Sequence, residues 1–365
     1  MEEERAVKRN YIMALLILCL CLFIVGCANT KNTEGTDNNG NVSAEEKGEK
    51  KIKLKLGTFQ SATSSMVVET LEPFMERVTE MTDGQVEFEF YPAEQLGKAA
   101  DTYDLTANGV MDIGLYLAPY SPSEMPISSS IPAMPGIYTT AYQGSMAYHK
   151  MSKESPILET DFLNGGVRPI FTFASIQGEL LTKGKEIKVP KDLTGLKIRP
   201  SGEIARKVVA DLGGTSVNMA IPELYEGLER NVIDAIHLYA VSAQDNGLDE
   251  LVKFGTEGLT LGGAISGLII NEKKFQSLPK DVQEVLIQVG DEFTESNATY
   301  YDELNSAAVQ EYRDAGVNIH TLSEDEKDQW QKVYDKVIEE WLKEKENSGI
   351  EEVLRTFNEE IKAFE

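Results

Sequence analysis

Segments with strand-like and helix-like hydrophobic periodicity alternate along this chain after residue 50, and this alternation constrains the fold more than any other feature. Residues 51–59 alternate apolar and basic side chains, as a half-buried strand does. Apolar residues recur at helical spacing over residues 66–81, and residues 86–91 alternate again. Strands that alternate with helices predict an α/β fold with a parallel or mixed sheet. Ligands of such sheets bind beyond the carboxyl ends of the strands.

The same rhythm returns in the second half of the chain. Residues 110–116 form a strand apolar enough to be buried on both faces. Residues 232–239 repeat its order of two aliphatic residues, an aspartate and a strand that ends in tyrosine. Residues 262–270 form a glycine-punctuated apolar strand that can cross between two halves. These patterns suggest two lobes with a cleft between them, and a chance likeness of two buried strands is the alternative.

The carboxyl-terminal part of the chain is predicted to be helical. A helix follows Leu278-Pro279, and Ser323 with Glu326 predicts a capping box at the start of another. A stripe of aromatic and aliphatic residues over residues 330–341 predicts that this last helix packs across the body of the protein.

The amino terminus has the pattern of an export signal. Three basic residues among the first nine precede a short uncharged, mostly apolar segment that ends in Gly26-Cys27. These features are typical of a signal peptide, whereas a membrane-spanning helix usually needs about 20 apolar residues. Gly26-Cys27 also resembles a bacterial lipobox. We predict a lipoprotein signal peptide over residues 1–26, lipidation of Cys27 and a flexible tether over residues 27–50, with a plain anchor helix as the alternative.

Composition limits the chemistry and the partners of the mature chain. The cysteines are Cys19, Cys21 and Cys27, so one remains after cleavage, which excludes an internal disulfide, thiol catalysis and a cysteine metal site. The net charge of −25 argues against binding to nucleic acid and against electrostatic adhesion to anionic lipid. Because the overall field would repel an anionic ligand, a local positive site must capture it.

Residues 192–200 supply a candidate for that positive site. They place Arg199 at the end of a short apolar strand, directly before Pro200 and a helix that begins near Ser201. An arginine at the carboxyl end of a strand, facing a helix start, is well placed to hold a carboxylate through two hydrogen bonds. The alternative is an ordinary arginine in a surface or interlobe salt bridge.

The sequence lacks the motifs of common catalytic and metal sites. GxGxxG, a Walker loop, HExxH and GxSxG are all missing. The three histidines are too scattered for a metal cluster, and no carboxylate pair stands out among the sixty acidic residues. We therefore predict that the protein is not an enzyme, holds no metal and needs no cofactor.

Several short segments, each weak alone, occur in the order of one known family. They are Thr82-Asp83-Gly84-Gln85-Val86, Tyr91-Pro92, Gln95-Leu96-Gly97, residues 109–113, 192–200, 212–213, 219–228 and 232–234, and Leu278-Pro279. Over about residues 51–315 the chain thereby resembles the DctP-type solute-binding proteins of tripartite ATP-independent periplasmic (TRAP) transporters.

The resemblance implies two α/β lobes that are joined by crossing strands and a long helix and that close on one ligand. We assign residues 51–175 plus about 265–300 to lobe I. Lobe II then takes residues 176–264 plus about 301–365, including the carboxyl-terminal helices. The resemblance also implies an ion-coupled, ATP-independent membrane permease as the partner, and Arg199 as the residue that grips the ligand's carboxylate.

The chain departs from the sialic-acid-binding members of this family. It has Gln177-Gly178-Glu179 where they carry a second arginine, Leu238 where they carry an asparagine, and Ile221 where they carry a phenylalanine. These departures argue against sialic acid. Glu179 near the pocket would disfavour a second carboxylate and favour a donor or cationic group on the ligand; alternatively, it points to solvent or pairs with a lysine.

Strand ends of α/β lobes face the cleft and therefore supply the remaining candidate pocket residues. These are Phe59, Gln60, Tyr116, Gln177, Gly178, Glu179 and Tyr239. Core packing is the alternative for each of the aromatic residues.

The leading hypothesis is an exported solute-binding lipoprotein, anchored to the outer face of the bacterial cytoplasmic membrane or located in the periplasm. It would capture a small organic acid and deliver it to a TRAP permease. One alternative is an extracellular sensor that presents such a solute to a signalling receptor. Another is an exported hydrolase, which the missing motifs disfavour.

Overall fold

A computed structural model describes residues 51–346 and 349–364 of the chain. The predicted signal peptide, the lipidation site at Cys27 and the tether lie outside these residues. Within the two described ranges, no helix is long and apolar enough to cross a membrane.

Strands and helices alternate through the first two thirds of the described chain, and helices dominate the last third. The strands are β1 Ile52–Gly57, β2 Val86–Tyr91, β3 Ile113–Leu117, β4 Val167–Ala174, β5 Glu179–Thr182, β6 Lys197–Arg199, β7 Thr215–Ser216, β8 Ala235–Leu238, β9 Phe254–Glu257, β10 Ile265–Asn271 and β11 Asn318–Thr321. The α-helices are α1 Glu72–Met81, α2 Thr102–Ala107, α3 Ala141–Ser152, α4 Gly202–Asp211, α5 Leu224–Glu229, α6 Ala240–Asp245, α7 Glu272–Ser277, α8 Lys280–Asp314, α9 Glu324–Glu344 and α10 Ile350–Lys362. Short 3₁₀ turns lie at Ala99–Asp101, Ala118–Tyr120, Leu163–Gly165, Pro190–Leu193, Ile221–Glu223 and Leu248–Glu250, and π-helical turns at Val67–Leu71 and Leu158–Phe162.

The strands form two mixed sheets, which confirms the predicted α/β fold. The first sheet has the order β2-β1-β3-β10-β4, and the second has the order β11-β9-β5-β8-β6-β7. In the first sheet β1 runs parallel to β2 and β3, whereas β10 runs antiparallel to β3 and β4. In the second sheet β6 runs parallel to β7 and β8, whereas β5 runs antiparallel to β8 and β9. Residues 52–174 and 265–271 build the first sheet and residues 179–257 and 318–321 the second, but the lobe boundaries remain a prediction.

Two aspartates make the same hydrogen bonds at the starts of β3 and β8, the two strands with similar sequences. The Asp112 carboxylate accepts a hydrogen bond from the Lys55 backbone N–H at 2.8 Å, and Asp234 accepts one from the Lys197 N–H at 2.8 Å. In both cases the aspartate N–H donates back to the carbonyl of the same lysine, at 3.0 and 2.7 Å. The sequence echo therefore corresponds to the same local structure in each sheet.

Two neighbouring chain segments run between the sheets, one from β4 to β5 and one from β9 to β10. The Ser175 N–H donates to the Ala264 carbonyl at 2.9 Å, and the Gly178 N–H donates to the Gly262 carbonyl at 3.3 Å. The 35-residue helix α8 adds a third connection, because it packs against β4 and α3 beside the first sheet and against β11 and α6 beside the second.

The last two helices each pack against an earlier helix, one beside each sheet. Helix α9 begins with the predicted Ser323–Glu326 capping box and packs against α4, whereas α10 packs against α3. The aromatic stripe of α9 is buried, as predicted: the Trp330 indole N–H donates to the Lys188 carbonyl at 3.0 Å, and the Tyr334 hydroxyl donates to the Leu259 carbonyl at 2.6 Å.

Candidate ligand-binding site

A small cavity lies where strand ends of the two sheets meet the crossing segments. Its volume is about 40 Å³, enough for a few water molecules. Most of its wall is apolar. The lining residues are Phe59, Gln60, Met66, Leu117, Phe173, Ser175, Ile176, Gly178, Arg199, Ser201, Ile221, His237, Leu238, Tyr239, Gly262, Gly263, Ala264 and Ser266.

Arg199 is the one lining residue that carries a full charge, and short-range sequence features hold it in place. It ends β6, which pairs with β7 and β8, and Pro200 prevents further pairing. Helix α4 then begins at Gly202, whose φ of +84° lies in the left-handed region that favours glycine. The predicted strand, break and helix are confirmed.

The Arg199 guanidinium is buried, with 3% of the residue exposed. Its Nε–H donates to the Met219 carbonyl at 3.0 Å, and Nη1–H donates to the His237 carbonyl at 3.4 Å. It forms no ion pair with any carboxylate in the described part of the chain. Burial therefore lowers the pKa of Arg199, although the neighbouring Tyr120 hydroxyl acts in the opposite direction. Because buried charges in proteins are normally paired, an anion beside this guanidinium would be stabilised.

His237 lies beside Arg199 as a neutral imidazole. Burial and the nearby guanidinium lower the pKa of His237 to about 3. Its Nδ1 accepts a hydrogen bond from the Ser201 backbone N–H at 3.3 Å, so its proton resides on Nε2. The ring packs so closely on Gly178 that a Cβ atom there would lie 2.9 Å from His237 Cδ2, which explains the glycine. A neutral histidine leaves Arg199 as the sole charge in the wall.

Four predicted site residues are brought together around the cavity. Phe59 and Gln60 follow β1, Arg199 ends β6, and Tyr239 follows β8, so each stands at the carboxyl end of its strand. Gly178 lines the cavity as well. This arrangement supports the strand-end argument for these residues, and their contact with a ligand stays a prediction.

Two other predicted residues are placed elsewhere. Tyr116 is 1% exposed and packs its ring against Phe162, with centroids 5.9 Å apart, while the next residue, Leu117, lines the cavity. Successive side chains of a strand point to opposite faces, so Leu117 and not Tyr116 faces the cavity. The Gln177 side chain also turns away, accepting from the Gly136 N–H at 2.9 Å and donating to the Met134 carbonyl at 3.2 Å.

Glu179 is also absent from the cavity wall, and it neither points to solvent nor pairs with a lysine. It is 7% exposed, and its Oε1 accepts a hydrogen bond from Asn305 Nδ2 of α8 at 3.2 Å. Its Oε2 has no hydrogen-bond partner among the described residues. Burial raises the pKa of Glu179 to about 7, with a further contribution from Glu257. The structure thus contradicts the alternative of a solvated or lysine-paired side chain, because Glu179 is a buried carboxylate beside the long helix. Its influence on the ligand stays a prediction.

Several lining residues were missed at the level of sequence. Met66, Leu117, Phe173 and Ser266 come from remote segments and carry no local signal that separates them from core residues. The Gly262-Gly263 pair could have been found, since adjacent glycines in a crossing strand indicate close approach of other groups. Among the described residues, no group of His, Cys, Asp or Glu side chains could hold a metal ion.

Comparison with known proteins finds similarity over most of the described chain. The family model for bacterial extracellular solute-binding proteins, family 7 (DctP), matches residues 56–345. A solute-binding protein of Albidiferax ferrireducens is 28% identical over 266 residues, which cover 71% of this chain and 76% of that protein.

Two solved structures share the fold. A TRAP solute-binding protein from a marine metagenome, specific for aromatic acid ligands and bound to 3-hydroxybenzoate, superposes with a TM-score of 0.81 at 24% identity, covering 87% of this chain and 99% of that one. A TRAP solute-binding protein from Rhodoferax ferrireducens with copurified benzoate gives a TM-score of 0.80 at 23% identity, covering 86% and 98%. At these identities the likeness shows a common two-lobed fold.

Proposed function

The chain belongs to family 7 of the bacterial extracellular solute-binding proteins, the DctP family, and from this premise we propose that it captures a small monocarboxylate and delivers it to a TRAP permease. The observation that carries the proposal is the buried Arg199 guanidinium, which faces a small cavity without a carboxylate partner among the described residues. A ligand carboxylate would supply the missing charge through two hydrogen bonds.

The rest of the wall supports a ligand with one carboxylate and an apolar body. No second cation stands in the described lining, so a dicarboxylate would bury its other charge without a partner. Phe59, Phe173 and Tyr239 offer aromatic surface to a flat apolar group. The two solved relatives with benzoate and 3-hydroxybenzoate are consistent with an acid of this kind.

Calorimetric titration with benzoate, mandelate and malonate tests the proposal. We expect the monocarboxylates to bind the wild-type protein and malonate to bind more weakly. Removing one partner of a buried charged pair typically costs about 2–5 kcal/mol, so Arg199→Ala should raise the Kd roughly 30-fold to several-thousand-fold. Arg199→Lys keeps the charge but loses the planar fork, and should be impaired too.

Arg230→Ala is the matched control, because Arg230 is an exposed arginine that pairs with Glu226 on the surface of α5. This variant should bind like the wild type. Native mass spectrometry of the protein as purified can identify a retained acid without a chosen panel. Near-normal affinity in Arg199→Ala would assign this arginine to structure and contradict the proposed binding mode.

We also propose that the protein is exported and anchored by a lipid on Cys27, which the sequence pattern of the amino terminus supports. Cys27→Ala should release the protein from the membrane fraction or leave an uncleaved precursor. Cys21→Ala, within the predicted signal peptide, is the matched control and should be processed normally. A membrane-bound, normally processed Cys27→Ala protein would remove the lipoprotein assignment.

Delivery to a permease can be tested separately from binding. We expect cells that express a cognate TRAP permease to accumulate labelled ligand when the wild-type protein is present, and not when Arg199→Ala replaces it. The bound acid should be recovered unchanged, because a capture protein performs no chemistry on its ligand.

A further inference from the structure

Tyr120 joins segments that follow strands of the two sheets, next to the cavity. It ends the 3₁₀ turn Ala118–Tyr120, which follows β3 of the first sheet. Its hydroxyl oxygen accepts a hydrogen bond from the backbone N–H of Ile221 at 2.7 Å, and Ile221 follows β7 of the second sheet. The same hydroxyl lies against the Arg199 guanidinium, and the Tyr120 ring packs on Phe59 with centroids 6.1 Å apart.

Tyr120 stands between the cavity and a larger outer groove. Its three neighbours Phe59, Arg199 and Ile221 all line the cavity, whereas Tyr120 itself lines the groove. The groove has a volume of about 730 Å³ and takes its walls from both sides, including Pro119 before Tyr120. The hydrogen bond from Ile221 to Tyr120 therefore joins a residue of the cavity wall to a residue of the groove wall.

The donors of Arg199 connect this contact to the ligand. A guanidinium has five N–H donors. One donates to the Met219 carbonyl and one to the His237 carbonyl, so three remain, which is enough for a carboxylate that takes two. The Tyr120 hydroxyl lies beside the same guanidinium. The orientation of the guanidinium depends on these three neighbours, and of them only Tyr120 follows a strand of the first sheet.

We propose that Tyr120 is a positioning residue that joins recognition of the ligand's carboxylate by Arg199 to closure of the entrance between the two sheets. This inference rests on the function proposed above. When the entrance is closed, the Tyr120 hydroxyl orients Arg199 and accepts from Ile221. When the sheets separate, both contacts break together. The Arg199 guanidinium then loses the neighbour that orients its remaining N–H donors towards the cavity.

The decisive variant is Tyr120→Phe, which removes one oxygen atom and keeps the ring against Phe59. With benzoate as the probe, we expect about a tenfold rise in Kd, which appears mainly as faster dissociation in stopped-flow measurements. The melting temperature of the ligand-free protein should stay close to that of the wild type. Tyr300→Phe is the matched control, because Tyr300 lies half-buried on α8 and its hydroxyl has no hydrogen-bond partner in the described ranges.

Hydrogen–deuterium exchange at the Ile221 amide reads the contact without any ligand. In Tyr120→Phe this amide should exchange about tenfold faster than in the wild type, while Tyr300→Phe leaves it unchanged. If no tested acid binds the wild-type protein, the proposed ligand class fails, yet faster exchange at Ile221 still supports the entrance contact. Unchanged benzoate dissociation in Tyr120→Phe, or unchanged exchange at Ile221, would overturn the role of Tyr120.

Discussion

Replacing Glu179 by glutamine should remove one pH-dependent part of the free energy of unfolding. The carboxylate is buried beside α8, where it accepts a hydrogen bond from Asn305, and it forms no ion pair with any described residue. Its pKa is raised from 4.5 to about 7, mainly because burial disfavours the charged form. The folded protein therefore binds this proton more tightly than the unfolded chain does.

The sign and size of the effect follow from that difference in pKa. The stabilising contribution of the protonated carboxyl is fully present below pH 4.5 and is lost as the pH rises towards 7. A difference of 2.5 pH units corresponds to about 3 kcal/mol. Glutamine cannot ionise, so Glu179→Gln should match the wild type near pH 4.5 and exceed its unfolding free energy by up to about 3 kcal/mol at pH 8.

Urea unfolding of both proteins at pH 4.5, 6 and 8 measures this directly. The difference between the two proteins isolates Glu179 from the other groups that titrate in this range. Glu284→Gln, at an exposed position of α8, is the matched control and should show no such trend. The affinity for benzoate should not change, because Glu179 lies outside the cavity. A stability difference that is the same at all three pH values would refute the reasoning.

Three further perturbations test other contacts. The Asp245 carboxylate at the end of α6 accepts hydrogen bonds at 2.9–3.2 Å from the N–H and hydroxyl of Ser65, which precedes α1. Asp245→Asn weakens this contact and should raise the Kd for benzoate about tenfold in calorimetric titration. An unchanged Kd would show that the contact does not contribute to closure around the ligand. Ser323→Ala removes the cap of α9 and should lower the unfolding free energy by about 1 kcal/mol, whereas no loss would show that the cap is dispensable. Gly263→Ala would place a Cβ 1.8 Å from the Tyr138 hydroxyl oxygen and should lower the melting temperature by several degrees; an unchanged melt would mean that the crossing segment can shift.

The elements of this fold could be predicted from sequence because their signals are local. Alternation over residues 51–59, the break at Pro200 and the capping box of Ser323 each depend on neighbouring residues, and the structure contains the corresponding strands and helix starts. Arg199 could be singled out in the same way, since its place at a strand end depends only on the residues beside it. The family assignment drew on the order of several such segments.

The composition of the cavity wall was decided only by tertiary structure. β3 is apolar on both faces, so hydrophobic periodicity cannot show whether Tyr116 or Leu117 faces the cleft, and the register between strands settles it. Glu179 is a polar residue in a strand-end position, where a site or a solvated surface is expected. Its burial involves the long helix α8, whose Asn305 contacts it from more than a hundred residues away along the chain. Tyr120 reaches Arg199 and Ile221 only because two sheets come together, and no short-range pattern in the sequence encodes that meeting.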